Sequence, residues 1–182
     1  MELKHLFFLL FYAGMMIFLT SCGSNGAPIP VAEVTTQTFE EEKIAVNQEI
    51  VRREHADIAL VAKRYHWNLT QTSTGLFYEI LNKKKGIYPQ TKDRVQIKGK
   101  IYLQDGTEIY NDQADGIKEL IINRSDDVVG LHELLKLMCE GEKSRAIIPS
   151  YLAFGISGDG EQIPALAFLI CEIELIKINK NK

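Results

Sequence analysis

The sequence predicts an α+β domain: an antiparallel sheet wrapped around one short helix, preceded by a long amphipathic helix. Three observations predict it. Apolar residues between Thr38 and Trp67 recur at a seven-residue interval. Beyond Trp67 the apolar period falls to two, with turn signals between the runs. Among those alternating runs a single stretch, Val128 to Met138, returns to helical spacing, which favours a sheet closed over one helix. The chain has 182 residues and a formal charge of −3, enough for one domain with a modest core and giving no reason to expect nucleic acid.

Lys4 and His5 precede an uncharged stretch from Leu6 to Leu19 that ends in "LTSC" at Cys22. The stretch is shorter than the ~20 residues a spanning helix needs and fits the apolar region of a leader. Small residues before the cysteine resemble the cleavage site of bacterial lipoproteins. Residues 1–21 are therefore expected to be a lipoprotein signal peptide, with Cys22 lipidated and the protein anchored in the cell envelope, on the periplasmic side of the inner or outer membrane. Residues 22–37, "CGSNGAPIPVAEVTTQ", are small, polar and proline-bearing, as suits a tether.

Residues 38–66 form the predicted amphipathic helix. Ile44, Val51, Ile58 and Tyr65 set the stripe and Ile50, Val61 and Ala62 widen it. Glu40 to Glu42 suit the positive end of the helix dipole and Lys63 and Arg64 the negative end. About 25 residues would span roughly 38 Å. The stripe can pack on its own domain, or on a second copy to make a homodimer; four heptad positions make a short seam, which favours the first.

Residues 67–182 form the predicted domain. "WNLTQTSTGLFYEIL" offers two short strands around Ser73 to Gly75, with Leu76, Tyr78 and Ile80 on one face. "DRVQIKGKIYLQDGTEIY" reads as a hairpin turning at Asp105 and Gly106, with Val95, Ile97, Ile101 and Leu103 inward. Another strand covers roughly Glu119 to Asn123. Ser125 or Asp126 is expected to cap the helix of Val128, Leu131, Leu134, Leu135 and Met138, which "CEG" stops at Gly141. Ser144 to Ile148 is a strand, and "ALAFLICEIELIKI" a long one. On it Ala167, Leu169, Cys171, Ile173 and Leu175 share the more buried face. Cys139 and Cys171 fall on different elements, which argues against pairing. His55, His66 and His132 lack metal-ligand spacing, and no cofactor or metal is expected.

"GEKSRAIIPSYLAFGISGDGEQIPALAF", residues 141–168, has the glycines and prolines of an active-site loop without a cysteine, histidine or clustered base. With "DG" at Asp105 and "VVGLHELLKLM" ahead of it, and "LICEIELIKI" behind, it resembles the FK506-binding-protein-type (FKBP-type) peptidyl-prolyl cis-trans isomerases. The lead-in "STGLFYEI", the charged helix and the acylated N-terminus resemble more narrowly the gliding-motility-associated lipoprotein members of Bacteroidetes. The resemblance implies an FKBP-like sheet around one helix and proline-containing polypeptides as substrates. It also implies chemistry without a nucleophile: an amide barrier of ~18–20 kcal/mol is lowered by desolvating and twisting the X–Pro bond in an apolar cleft.

By the same resemblance the pocket residues are Phe154, Val128, Ile163, Leu131, Ile109 and Tyr110, with the Val128 N–H available to a substrate carbonyl. Phe154 keeps the ring of a customary tyrosine and loses its hydroxyl. Leu131 stands where a tryptophan or another large apolar residue forms the floor, and Gly99 and Cys171 where aromatics are usual. Ile109 and Tyr110 replace phenylalanine and aspartate; Asp112 could partly replace that carboxylate if its loop folds inward. Thinned walls weaken a desolvation mechanism. Three readings follow: an envelope isomerase, a catalytically weak or inactive binding module, and a structural lipoprotein of a gliding or secretion assembly. The first and third are compatible.

Overall fold

The computed structural model describes residues 36–181, with side chains from Phe39 onward. The signal peptide and nearly all of the tether expected above, Cys22 included, lie outside the described residues. Compact packing divides the chain into Met1–Lys43 and Ile44–Lys182. Within the first unit, the described side chains show Lys43 paired with Glu40 at 2.9 Å and its ammonium 4.3 Å from the Phe39 ring.

Helix α1 runs Thr36–Arg64 and is followed by strands β1 (Thr70–Gln71), β2 (Phe77–Ile80), β3 (Arg94–Leu103) and β4 (Glu108–Asn111). A one-turn helix α2 (Asp112–Asp115), β5 (Lys118–Ile121), helix α3 (Val129–Lys136), β6 (Lys143–Ile148), a 3₁₀ turn (Ser150–Leu152) and β7 (Leu169–Asn179) complete it. All pairings are antiparallel, in the order β1-β2-β6-β7-β3-β4. The outer edge of β3 is shared end to end: Lys100–Tyr102 pairs with β4 and Arg94–Ile97 with β5. This is the α+β fold the alternation predicts, with the two β3–β4 strands meeting at the Asp105 turn.

One face of the sheet holds the main core. Val95, Ile97, Ile101 and Leu103 of β3 and Leu169, Cys171, Ile173 and Leu175 of β7 point there and meet Leu131, Leu134 and Leu135 of α3. The period of two along each strand makes this possible, and Leu76 joins from the turn before β2. The opposite face is closed by α1: Ile58 and Val61 pack with Trp67, Ile147, Phe168 and Ile170. Burying each such side chain stabilises by roughly 1.5–3 kcal/mol.

Three expectations are corrected. The stripe on α1 is used only in part: Ile58 and Val61 are buried, whereas Ile44 and Tyr65 are exposed and the carboxylate of Glu54 is buried among them. The helix begins before Thr38, so Glu40 to Glu42 are not in its first turn. Helix α3 is shorter than its apolar spacing suggests. Its N-cap is Val128 with no side-chain cap, because Ser125 Oγ instead accepts from Ile121 N–H at 2.7 Å, and it ends at Lys136, well before Gly141. Met138 is fully buried after the helix ends, so its spacing reports burial and not helix. Cys139 and Cys171 are both buried free thiols, and burial pushes Cys171 up to about 12.

Candidate functional site

The pocket residues come from four places: the β3–β4 hairpin, the start of α3, the loop after β6 and β7. Tyr110 on β4, Leu131 on α3 and Ile163 on the loop lie buried in one apolar cluster, with Ile109 and Val128 half-buried against it. Leu131 is 1% exposed and forms a closed floor. Phe154 stands apart from the cluster at 36% exposed, a loop ring open to solvent, as is Tyr151 at 42%. Val128 has extended backbone ahead of α3; its carbonyl accepts from Leu131 and His132, and its N–H makes no hydrogen bond among the described residues. A donor of that kind beside an apolar floor suits a substrate carbonyl.

The 149–164 loop is held by its own backbone polar groups. Ser150 carbonyl accepts from Ala153 N–H at 2.9 Å and Gly155 N–H at 2.8 Å, so Phe154 sits between two anchored neighbours. Further on, Asp159 Oδ1 accepts from the N–H groups of Glu161, Gln162 and Ile163 at 2.9, 2.9 and 2.7 Å. The hydrogen bonds from Glu161 and Ile163 hold the Asp159 carboxyl below its usual range. One short polar side chain thereby sets the backbone that presents Ile163. Between this loop and the β3–β4 turn opens a cavity of about 390 Å³, lined by Leu103, Thr107, Ile163 and Pro164 among others.

Gly99, where the resemblance expects an aromatic wall, lies in the β3–β7 strand pair. Gly99 has φ +137°, and a Cβ built on it would lie 1.9 Å from the Glu172 carbonyl oxygen of β7. The strand pair leaves no room for any side chain there. Gly99 and half-buried Asp112 line a cavity of about 190 Å³ with Ser144 and Ile173. Tyr110, expected from the resemblance to replace a carboxylate, donates its hydroxyl to Gly116 carbonyl at 2.7 Å. Burial is the main reason its phenol is pushed above the usual value. Cys171 is packed in the core beneath.

Sequence reading passes over Glu54, Ser150 and Tyr151. Glu54 Oε1 accepts from Ser150 N–H at 2.6 Å and Oε2 from Ser150 Oγ–H at 3.1 Å. His55 Nε2 lies 3.2 Å from the Tyr151 hydroxyl. Burial first, then the Glu54 and Glu133 carboxylates, push the Tyr151 phenol up. The signal that could have found Glu54 is its place midway between Ile50 and Ile58: a carboxylate at helical spacing inside an apolar stripe.

An antiparallel sheet holding a single inward helix, with an apolar cluster roofed by a proline- and glycine-bearing loop, defines an FK506-binding-protein-like domain. A family model for the FKBP-type peptidyl-prolyl cis-trans isomerases matches residues 85–176, and the chain belongs to that family. It is 31% identical over 153 residues to the FKBP-type isomerase FkpA of Escherichia coli strain K12, covering 80% of this chain and 56% of that protein. It is 34% identical over 111 residues to the FKBP-type 22 kDa isomerase of the same organism, covering 60% of this chain and 53% of that protein. The chain thus spans little more than half the length of these curated relatives. The crystal structure of Escherichia coli FkpA superposes with a TM-score of 0.59 at 27% identity, covering 79% of this chain and 69% of that one. A Pseudomonas syringae peptidyl-prolyl isomerase structure superposes with a TM-score of 0.62 at 23% identity, covering 73% and 96% respectively, which speaks to the fold alone.

Proposed function

We propose that the protein is a peptidyl-prolyl cis-trans isomerase of the cell envelope, lipid-anchored through Cys22 and acting on proline-containing polypeptides such as exported chains during folding. The observation that carries the catalytic part is the unengaged Val128 N–H beside the buried apolar cluster of Leu131 and Ile163, with Phe154 exposed on the same loop that carries Ile163. Desolvation by the floor and ring, with the N–H holding a carbonyl, favours the twisted amide over either planar isomer. Dedication to gliding-motility or secretion components is the narrower form of this reading, supported by the leader and charged helix in the sequence.

A second reading has its own support. Gly99 removes one aromatic wall, Tyr110 spends its hydroxyl on Gly116, and Phe154 offers none, so a binding or structural lipoprotein with weak or absent catalysis also fits the site. A proline-limited refolding assay and a peptide isomerisation assay with several residues before proline separate the two. Rates equal to the uncatalysed ones throughout would refute the enzyme. If the enzyme holds, Phe154→Tyr should raise kcat/KM by about 3- to 30-fold, the worth of one hydrogen bond donor in a desolvated site. Fatty-acid labelling that survives in Cys22→Ala would refute the anchor. The exposed Val46 and Leu60, on one face of α1, support a homodimer through that helix as a further part of the reading, which sedimentation equilibrium tests.

A further inference from the structure

Ser150 is the hub of the loop that carries Phe154. Its carbonyl accepts from Ala153 N–H and Gly155 N–H, the residues on either side of the ring, so wherever Ser150 sits, Phe154 follows. Ser150 itself is held from outside the loop, by both carboxylate oxygens of Glu54 on α1. The contact joins residues 96 positions apart and is buried at both ends, with Glu54 only 7% exposed. The next residues of each element repeat the contact: His55 Nε2 is 3.2 Å from Tyr151 Oη, and its ring meets Phe77 edge-on at 5.3 Å. Tyr151 is in turn fitted against Gly75, where a Cβ would fall 1.9 Å from the hydroxyl.

Packing alone does not explain Glu54. Burying a carboxylate costs free energy that an apolar side chain at the same place in the stripe does not incur, and neighbouring Ile58 meets the helix's packing need. Both oxygens go to one residue, and the carbonyl of that residue holds the backbone on either side of the exposed Phe154. Glu54 and His55 also lie outside residues 85–176, the part that matches the family.

We propose that Glu54 is a positioning residue for isomerisation: from the N-terminal helix it fixes Ser150, and through Ser150 the loop backbone that carries Phe154. The helix is then a working part of the site as well as a cover for the sheet. The proposal rests on the isomerase reading for its catalytic consequence and on the hydrogen bonds for its structural one.

The test uses the full chain with Glu54→Ala, Glu54→Gln and Ser150→Ala, read by residue-resolved amide exchange and by kcat and KM on proline peptides. Glu54→Ala should speed exchange at Ala153 and Gly155 about tenfold more than at the β6–β7 amides, and lower kcat/KM by roughly tenfold, as expected when a positioned group drifts. Glu54→Gln keeps one acceptor and should recover part of both effects; with Ser150→Ala it serves if the alanine variant at 54 does not fold. Exchange that rises equally across the sheet means a purely structural role and overturns the proposal, as does unchanged exchange in the loop. A loosened loop with unchanged kcat/KM overturns it too. A wild-type chain without activity refutes the isomerase reading and with it the catalytic role of Glu54, while the exchange data still decide whether it holds the loop.

Discussion

Gly99→Ala is the smallest change that asks whether the missing wall can be rebuilt. Position 99 lies half-buried on β3 between the inward Ile97 and Ile101 and pairs with Ile173 on β7. Its φ of +137° is outside the region side chains favour, and adopting it costs about 1–3 kcal/mol. The added methyl would also lie 1.9 Å from the Glu172 carbonyl oxygen, a backbone atom held in the longest strand pair of the sheet. Relieving that contact means moving β3 from β7 by about an ångström and weakening ladder hydrogen bonds worth about 1 kcal/mol each. Alanine's smaller unfolded-state entropy returns about 0.4–1 kcal/mol. The balance is a loss of about 2–4 kcal/mol, a large share of the 5–15 kcal/mol typical of a domain. Urea unfolding followed by circular dichroism should show the midpoint falling at unchanged slope. A loss under about 0.5 kcal/mol would refute the reasoning. The same geometry predicts that Gly99→Tyr, the direct restoration of an aromatic wall, destabilises more and does not raise isomerase activity.

Asp93 ties the C-terminal end of β7 to the preceding turn, accepting from Lys180 at 2.8 Å, Asn181 N–H at 2.9 Å and Gln90 N–H at 2.7 Å. Burial alone would raise its pKa, yet these partners outweigh it and hold the carboxyl at about 2. A pKa depressed on folding stabilises above the unfolded value near 4, and that stabilisation is lost as pH falls toward 2; it is on the order of 2 kcal/mol. Asp93→Asn should therefore lower the urea midpoint at pH 7 and narrow the gap to wild type at pH 2, and equal deficits at both pH values would contradict this. Asp159→Ala should leave global stability within about 0.5 kcal/mol, since the group is exposed, and speed amide exchange at Ile163; protected exchange there would show the loop is held otherwise. Cys139 and Cys171 should resist iodoacetamide in the native chain and react on unfolding, and rapid native labelling of Cys171 would refute its burial.

The sheet was readable because its signal is periodic: the alternation along 95–103 and 167–175 assigns the inward faces residue by residue. Helix α3 was harder, since Met138 keeps the apolar spacing after the backbone has left the helix. The two halves of the β3 edge, β4 and β5, are separated by α2, whose Asn111 cap is a local hydrogen bond to Gln113 N–H without a periodic signature. For the site, spacing nominates the candidate positions, but it says nothing of how they are held. Glu54 and Ser150 are 96 residues apart, and neither residue type at its place announces the other. Gly99 looks like a simple deletion of a wall; only the proximity of Glu172 carbonyl shows that the strand pair excludes a wall there.

The shared edge of β3 has a consequence for how the sheet meets other extended chains. A ten-residue strand left open would offer a row of unpaired backbone donors and acceptors to any extended polypeptide. Here that row is divided between two four-residue strands with a helical turn between them, and the far side of the sheet ends in a strand of two residues. Both borders are too short to invite an extended polypeptide as an additional strand. The fold thereby keeps its own sheet from becoming the seed on which other strands, or other copies of this chain, assemble.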